Sequence, residues 1–349
     1  NLQSFFNTLD KEFHKHEEAG LTESEYLTAI KDSAISADIF GELVVQRSRS
    51  YVRASEKLEA ESSVIFPDRA PPKVANYHLK VTYGRLLESV ATAFDRDKPL
   101  FALAIYSPLA YLINQPEEKD FNLGRQVQVV SLIRTLFLKR FESSAKAFEM
   151  SCWRLLHKLL TWTEVHATRE HDKKRLDRWN TKHAKLLEQV GHASAAQAQF
   201  WADDEDPEEF ITDDHRGEVE QLNPKIYKVD DMLDETFDDL EQIAEFLKLV
   251  KDVRPDRDSK LSALAKLLSD NKELKGRKVI IFTEFSDTAH YLEYHLKDKG
   301  FKNVERIDGS SNQKQRSAVI HRFAPYYNGT TPPDDDKDIT ILIATDVLA

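Results

Sequence analysis

Cysteine is almost absent from this 349-residue chain. The one present, Cys152, rules out a disulfide framework within the chain, so a reducing, cytoplasmic setting is expected. It falls on the apolar side of a predicted helix and is read as a small buried filler rather than a reactive thiol. Long apolar runs are missing too. None approaches the roughly 20 residues that span a bilayer, and no basic-then-apolar signal opens the chain at Asn1, so no membrane partner is expected. Solenoid-type internal repeats are absent. Twelve histidines are present, but His166 and His171 lie off the i, i+4 spacing and no second ligand pair accompanies them. A metal site is therefore not expected.

Apolar residues make up 41% of the chain and charged residues 31%. That balance suits a soluble, charge-rich globular protein of two or three domains. The net charge of −11 taken alone argues against a nucleic-acid partner, but the charge is unevenly placed. Ten acidic residues and one arginine fall between Asp203 and Glu220, whereas Arg169 to Lys185 holds seven Lys/Arg against three acids. A basic groove and an acidic loop can coexist.

Residues 1 to about 60 read as helices, with Thr22 as an N-cap candidate and Glu25 three residues on. Prolines at Pro67, Pro71 and Pro72 then stop any helix, and alternation from Val74 to Val81 predicts a strand. From 85 to about 200 the pattern is helical. Val130, Ile133, Phe137, Phe141, Phe148, Cys152, Leu155 and Leu159 trace one face, predicting a single helix of roughly 45 Å. Residues 202–224 form an acidic break, and helical spacing resumes from Leu233 to Val250.

From Lys260 the texture becomes alternating helix and strand. KLSALAKLLSD is a helix and KVIIFT a buried strand. SDTAHYLEYHLKDKG is a helix capped by Ser286 and closed at Gly300. NVERIDG is a strand and turn, NQKQRSAVIHRF a helix, and DITILIAT a strand. This alternation predicts a parallel, doubly wound sheet. Each strand ends on small residues: Thr283, then Gly309 and Ser310, then Thr345 with Asp346. In a parallel sheet those ends share one edge, where short hydroxyls, free N–H groups and helix N-termini suit phosphate oxygens. Gln313 and Arg316 follow in the same segment, to touch a nucleic-acid strand or to brace neighbouring loops.

Taken together, KVIIFTEF, IDGSSNQKQRSAVIHRF and ILIATDVLA resemble the second RecA-like lobe of superfamily-two helicases and translocases, nearest in wording to the Swi/Snf-type ATPases. They are similar to that family's motif IV, its Gly–Arg–Phe helix segment and the first half of its motif V. NLQSF, VVQRSRSYV with FPDRAPPKVANYHL, and LFLKRFESSAKAF are similar, less specifically, to segments leaving the first lobe and to a helical insertion of bacterial relatives. The resemblance implies a fragment: the end of lobe one (1–84), a mainly helical insertion (85–255, with the acidic loop 202–224) and a partial second lobe (256–349). It implies an α/β fold, a parent enzyme that uses ATP and Mg²⁺ to move along double-stranded DNA, and a possible protein partner for the insertion. Thr283, Gly309, Ser310, Gln313, Arg316 and Thr345 would meet nucleic acid. Asp346 would couple motif V to the nucleotide cleft.

The phosphate loop GxxxxGK[ST], an Asp-Glu box on a strand and the paired-arginine motif VI are all missing from these 349 residues. A start at Asn rather than Met fits a fragment, and the chain alone is expected not to hydrolyse ATP. Two alternatives stay open: a strand-separating RNA or DNA helicase, and a non-catalytic helical scaffold with a degenerate lobe. Several charged groups also carry two readings. Arg47 and Arg49 serve contact or solvation. Lys139, Arg140 and Glu142 serve docking on a lobe or phosphate, or plain surface charge. The Arg169–Lys185 patch with Trp179 serves duplex DNA or a solvated face. Asp203–Glu220 mimics nucleic acid or is a plain loop.

Overall fold

The computed structural model describes residues 70–95, 100–114, 121–188, 219–274, 276–329 and 338–346. The expected helices before residue 60, Arg47, Arg49 and most of the acidic loop lie outside these residues. Among them, Val74 onward belongs to one compact unit. In chain order the elements are α1 (Leu79–Tyr83), α2 (Arg85–Ala93), two short 3-10 turns (Ala104–Tyr106 and Pro108–Tyr111), α3 (Phe121–Ser143), α4 (Ala145–His166), α5 (Glu170–Lys182), α6 (Val229–Val250), α7 (Ser259–Asp270), β1 (Val279–Phe282), α8 (Ser286–Asp298), β2 (Val304–Ile307), α9 (Gln313–Phe323) and β3 (Ile341–Ala344).

The helical region is organised by aromatic packing. Phe94, Phe101, Phe137, Phe148 and Phe246 come from five separate segments and meet with ring centroids between 5.5 and 6.3 Å apart, in the offset and edge-on arrangements that aromatic quadrupoles favour. All eight residues of the apolar face predicted from Val130 to Leu159 are buried. The single long helix is not there: the chain breaks at Ser144, which is extended (φ −161°, ψ 156°), and its hydroxyl caps α4 by accepting from Ala147 N–H. The seven-residue step from Phe141 to Phe148 keeps the spacing of a continuous face, so periodicity alone hides the break.

The expected strand over Val74–Val81 is absent. Residues 70–78 are irregular and Leu79–Tyr83 is helical. Val74 and Val81 stand 88% and 66% exposed and Leu79 is only partly buried against the helical core, so the alternation marks no buried strand face, and among the described residues no strand pairs with it. The basic Arg169–Lys185 stretch keeps most of its charges at the surface, and part of that charge is paired within the fold. Helix α5 lies along acidic α6, with Arg169 paired to Asp230, Arg175 to Asp234 and Lys182 to Glu241. The Arg175 guanidinium sits 4.1 Å from the Phe237 ring centroid, and Trp179 is buried. Three of the seven cations are thus met by α6, and Lys173, Lys174, Arg178 and Lys185 stand exposed. His166 is buried, with Nδ1 2.8 Å from the Trp162 carbonyl and Nε2 accepting from Leu222 N–H. That arrangement requires the neutral ring, and burial lowers its pKa. Among the described residues no His/Cys/Asp/Glu group could hold a metal, and no helix is long and apolar enough to cross a membrane.

The C-terminal region is a three-stranded parallel sheet of order β1-β3-β2. The path from β1 to β2 passes β3, and the path back to β3 reverses direction. With right-handed crossovers, α8 and α9 therefore fall on opposite faces. Ala289 and Leu296 of α8 meet Val304, Ile341 and Ile343. Val319, Ile320 and Phe323 of α9 meet Ile307, Ile339 and Leu342. Central β3 is buried throughout, but β1 is not the buried strand expected: Ile280 and Phe282 are 43% and 66% exposed, because α9 covers only β2 and β3 on that face. Ser286 is the first helical residue of α8, not its cap. Phe285 holds the cap position and makes no side-chain cap bond.

Asp239 of α6 accepts Ala102 N–H at 2.8 Å and Leu103 N–H at 2.7 Å, one on each carboxylate oxygen, and Leu103 is left-handed at φ 58°. Burial pushes this carboxyl from an ordinary 3.8 up to about 7, despite the two amides and nearby Arg134. The native state thus holds a proton that the unfolded chain has lost. The Asp239 contribution is fully present below about pH 4 and declines as pH rises to about 7. Relative to Asp239→Asn, the wild type should lose stability between pH 4 and 7 and run parallel above that, as read from urea unfolding at each pH.

Candidate nucleic-acid interface

The strand register brings the expected site residues together. Phe282, Ala344 and Ile307 are the last paired residues of β1, β3 and β2 and lie side by side. Beyond them the ladder continues for one more step. Thr283 N–H donates to the Ala344 carbonyl at 3.0 Å, and Thr345 N–H to the Ile307 carbonyl at 3.1 Å. Thr283, Thr345 and Asp308 therefore form a row across the sheet, about 10 Å from end to end at ordinary strand spacing. The N-termini of α8 and α9 begin within five residues of that row, and their unpaired amides and dipoles favour negative charge there.

The residues of the row are not equally displayed. Thr283 is half-buried and Asp346 exposed, but Thr345 is only 3% exposed. Gly309 and Ser310 form the turn after β2, where Ser310 donates both its N–H (3.1 Å) and its hydroxyl (2.6 Å) to one oxygen of Asp308. The Ser310 donors are thus engaged inside the turn. Gln313 is exposed at the first position of α9, whose N-terminus is closed by a reciprocal capping box between Asn312 and Gln315. Its outer face forms a shallow depression lined by Asn312, Gln313, Lys314, Ser317, Ala318 and His321. Arg316 turns inward and donates to the carbonyls of Asp308 and Gly309, both at 3.3 Å. It braces the turn, one of its two expected roles.

Asp308 was not singled out from the sequence, and the turn is built on it. Its side chain is fully buried, paired with Arg306 and 3.3 Å from His290 Nε2. Arg306 also donates to Glu293 of α8 at 3.0 Å, and Glu293 is held by Lys297 at 2.7 Å. These bonds from Arg306 and Lys297 lower the Glu293 pKa against the opposing effect of burial. The signal for Asp308 was the Asp-Gly-Ser sequence, since aspartate bonds backbone two residues on and makes such turns.

Residues 259–349 match the helicase conserved C-terminal domain family. No curated protein matches the chain, and no solved structure does. The match supports a superfamily-two helicase-like C-terminal lobe, a type of domain that works on nucleic acid in ATP-dependent enzymes. It begins at Ser259, the first residue of α7, and takes in the whole sheet.

Removing the buried anion should be costly. Asp308→Ala leaves Arg306 and His290 facing an apolar gap and should lower stability by about 3–5 kcal/mol. Ser310→Ala, which removes one hydrogen bond, should cost about 1 kcal/mol. Chemical denaturation of both variants checks the order.

Proposed function

We propose that the C-terminal lobe is the nucleic-acid-facing half of an ATP-driven translocase of the Swi/Snf type, acting on double-stranded DNA. The observation that carries this reading is the row formed by Thr283, Thr345 and the Asp308–Ser310 turn beside two helix N-termini. The family match and the resemblance in wording of the three segments support it. The Thr283 hydroxyl and the first-turn amides of α8 and α9 face one phosphate run, Gln313 extends the contact along α9, and Thr345 sets the floor between them. Arg316 and Ser310 act through the shape of the turn. Asp346 points the loop after β3 toward a nucleotide cleft shared with another lobe.

ATP and Mg²⁺ belong to this reading as ligands of the complete enzyme. The residues present do not supply their site: the sequence has no phosphate-loop lysine and no Asp-Glu box on a strand, which phosphoryl transfer requires. No hydrolytic step is assigned to any residue here. The 349-residue chain by itself should show no ATPase activity above background. In a longer form carrying those motifs, Thr345→Ala with Asp346→Ala should abolish DNA-stimulated hydrolysis. Persistence of stimulation would remove the β3 edge from the mechanism.

Binding can be tested on the chain itself by fluorescence anisotropy with a short DNA duplex. Thr283→Val, which keeps the shape and removes the hydroxyl, should weaken binding by roughly tenfold. Hydroxyls and amides displace few counterions, so the salt dependence should be shallow, with a log–log slope no steeper than about −2. Unchanged affinity in Thr283→Val would overturn the assignment of this edge. Strand displacement by the complete enzyme would favour the strand-separating alternative. Absence of any duplex binding would favour a non-catalytic scaffold.

A further inference from the structure

Four of the five residues that follow Thr283 are held by side chains of the helical region. Lys139 Nζ donates to Glu284 Oε1 at 2.8 Å. The Arg140 guanidinium lies 4.6 Å from the Phe285 ring centroid and also donates to Asp287 Oδ2 at 3.1 Å. Arg154 reaches the same Asp287 oxygen at 3.5 Å. Thr288 Oγ1 is 2.8 Å from both Ser143 Oγ and Ser144 Oγ. All of these helical residues except Arg154, which stands nearly three turns into α4, lie at or near the corner where α3 breaks and α4 begins. The same corner is gripped from a second side. Lys260 of α7 donates to the carbonyls of Glu142 (2.8 Å) and Ser143 (3.0 Å), the last turn of α3, where a cation complements the helix dipole.

The chemistry of this contact is unusual for a packing surface. Arg140 and Asp287 are each 8% exposed at the side chain. A buried charge pair adds little net stability compared with apolar residues of the same size, but its geometry admits few alternatives. The hydroxyls of Ser143, Ser144 and Thr288 add a second directional link. Ser144 is also the residue that ends one helix and caps the next. A shift of the corner therefore has no slack to absorb it before it reaches Glu284 and Phe285, and beyond them Thr283.

We infer that the α3–α4 corner positions the nucleic-acid edge: Arg140, through Phe285 and Asp287, and Ser143/Ser144, through Thr288, fix where Thr283 and the first turn of α8 stand. Arg140 and Thr288 are thus positioning residues, and the helical region is a fixed bearing for the sheet edge instead of an appended scaffold. This rests on the reading of that edge as the binding surface only for its effect on affinity. The mechanical claim stands on the contacts.

The test uses amide hydrogen exchange and duplex binding on the whole chain. Arg140→Gln leaves Asp287 paired with Arg154, and Thr288→Val keeps the side-chain shape, so both should fold. Exchange at the Thr283, Thr288 and Ala289 amides should quicken by roughly tenfold, while amides in the middle of α6 keep wild-type rates. Affinity for a short duplex should fall severalfold in both variants. Lys139→Glu should weaken binding in the same way, and adding Glu284→Lys should restore it. Wild-type exchange at Thr283 in both variants would overturn the inference. So would faster exchange with unchanged affinity, provided that Thr283→Val does weaken binding. If Thr283→Val binds as tightly as wild type, the edge is not the binding surface, and exchange alone judges the corner.

Discussion

Everything that bears on function here depends on β3 lying between β1 and β2. Parallel pairing on both sides fixes the register of three strand ends at once, so Thr283, Thr345 and Asp308 fall into one row through backbone hydrogen bonds alone. A one-residue slip would turn every side chain to the other face, putting Ile341 and Ile343 against α9 and Leu342 against α8. Both sets of side chains are already packed, one against α8 and the other against α9, so a slip would disturb the two faces at once. The chemical precision of the edge is thus inherited from the burial of a strand that contributes few exposed atoms to it.

The second dependency runs from the edge into the helical region. An all-apolar junction would tolerate small rotations of one body on the other. This junction instead has two arginines on one aspartate, two serine hydroxyls on one threonine hydroxyl and a lysine on the last carbonyls of α3. Behind it the phenylalanine cluster makes the corner itself stiff, because Phe141 and Phe148 flank the break with ring centroids 5.1 Å apart. The chain therefore carries a continuous line of directional contacts from the core of the helices to the ends of the strands.

Much of this was legible in the sequence, and what was not has physical reasons. The α/β alternation, all three strands and the sharing of one edge by Thr283, Gly309–Ser310 and Thr345 follow from period and turn residues. Which strand is central does not: VIIF and ILIA are equally apolar, and only the crossover path decides that β1 is half-exposed. The apolar face from Val130 to Leu159 was correctly traced, yet it concealed the break at Ser144 because the spacing persists across it. The basic stretch after Arg169 and the acidic face of α6 were each visible, but their mutual pairing is a tertiary fact. Asp308 went unnoticed because a buried carboxylate is defined by its partners, and of these Arg306 lies two residues back on the same strand but His290 lies on α8.

The exposed side of β1 has one more consequence. Among the described residues its outer backbone edge has no partner, and Ile280 and Phe282 face outward beside it. A strand edge with large apolar side chains is a template for another strand. Excised from its surroundings, the three-stranded lobe would be prone to associate with itself through this edge and to aggregate. Solubility, more than catalysis, would then decide how small a piece of this protein can be handled on its own.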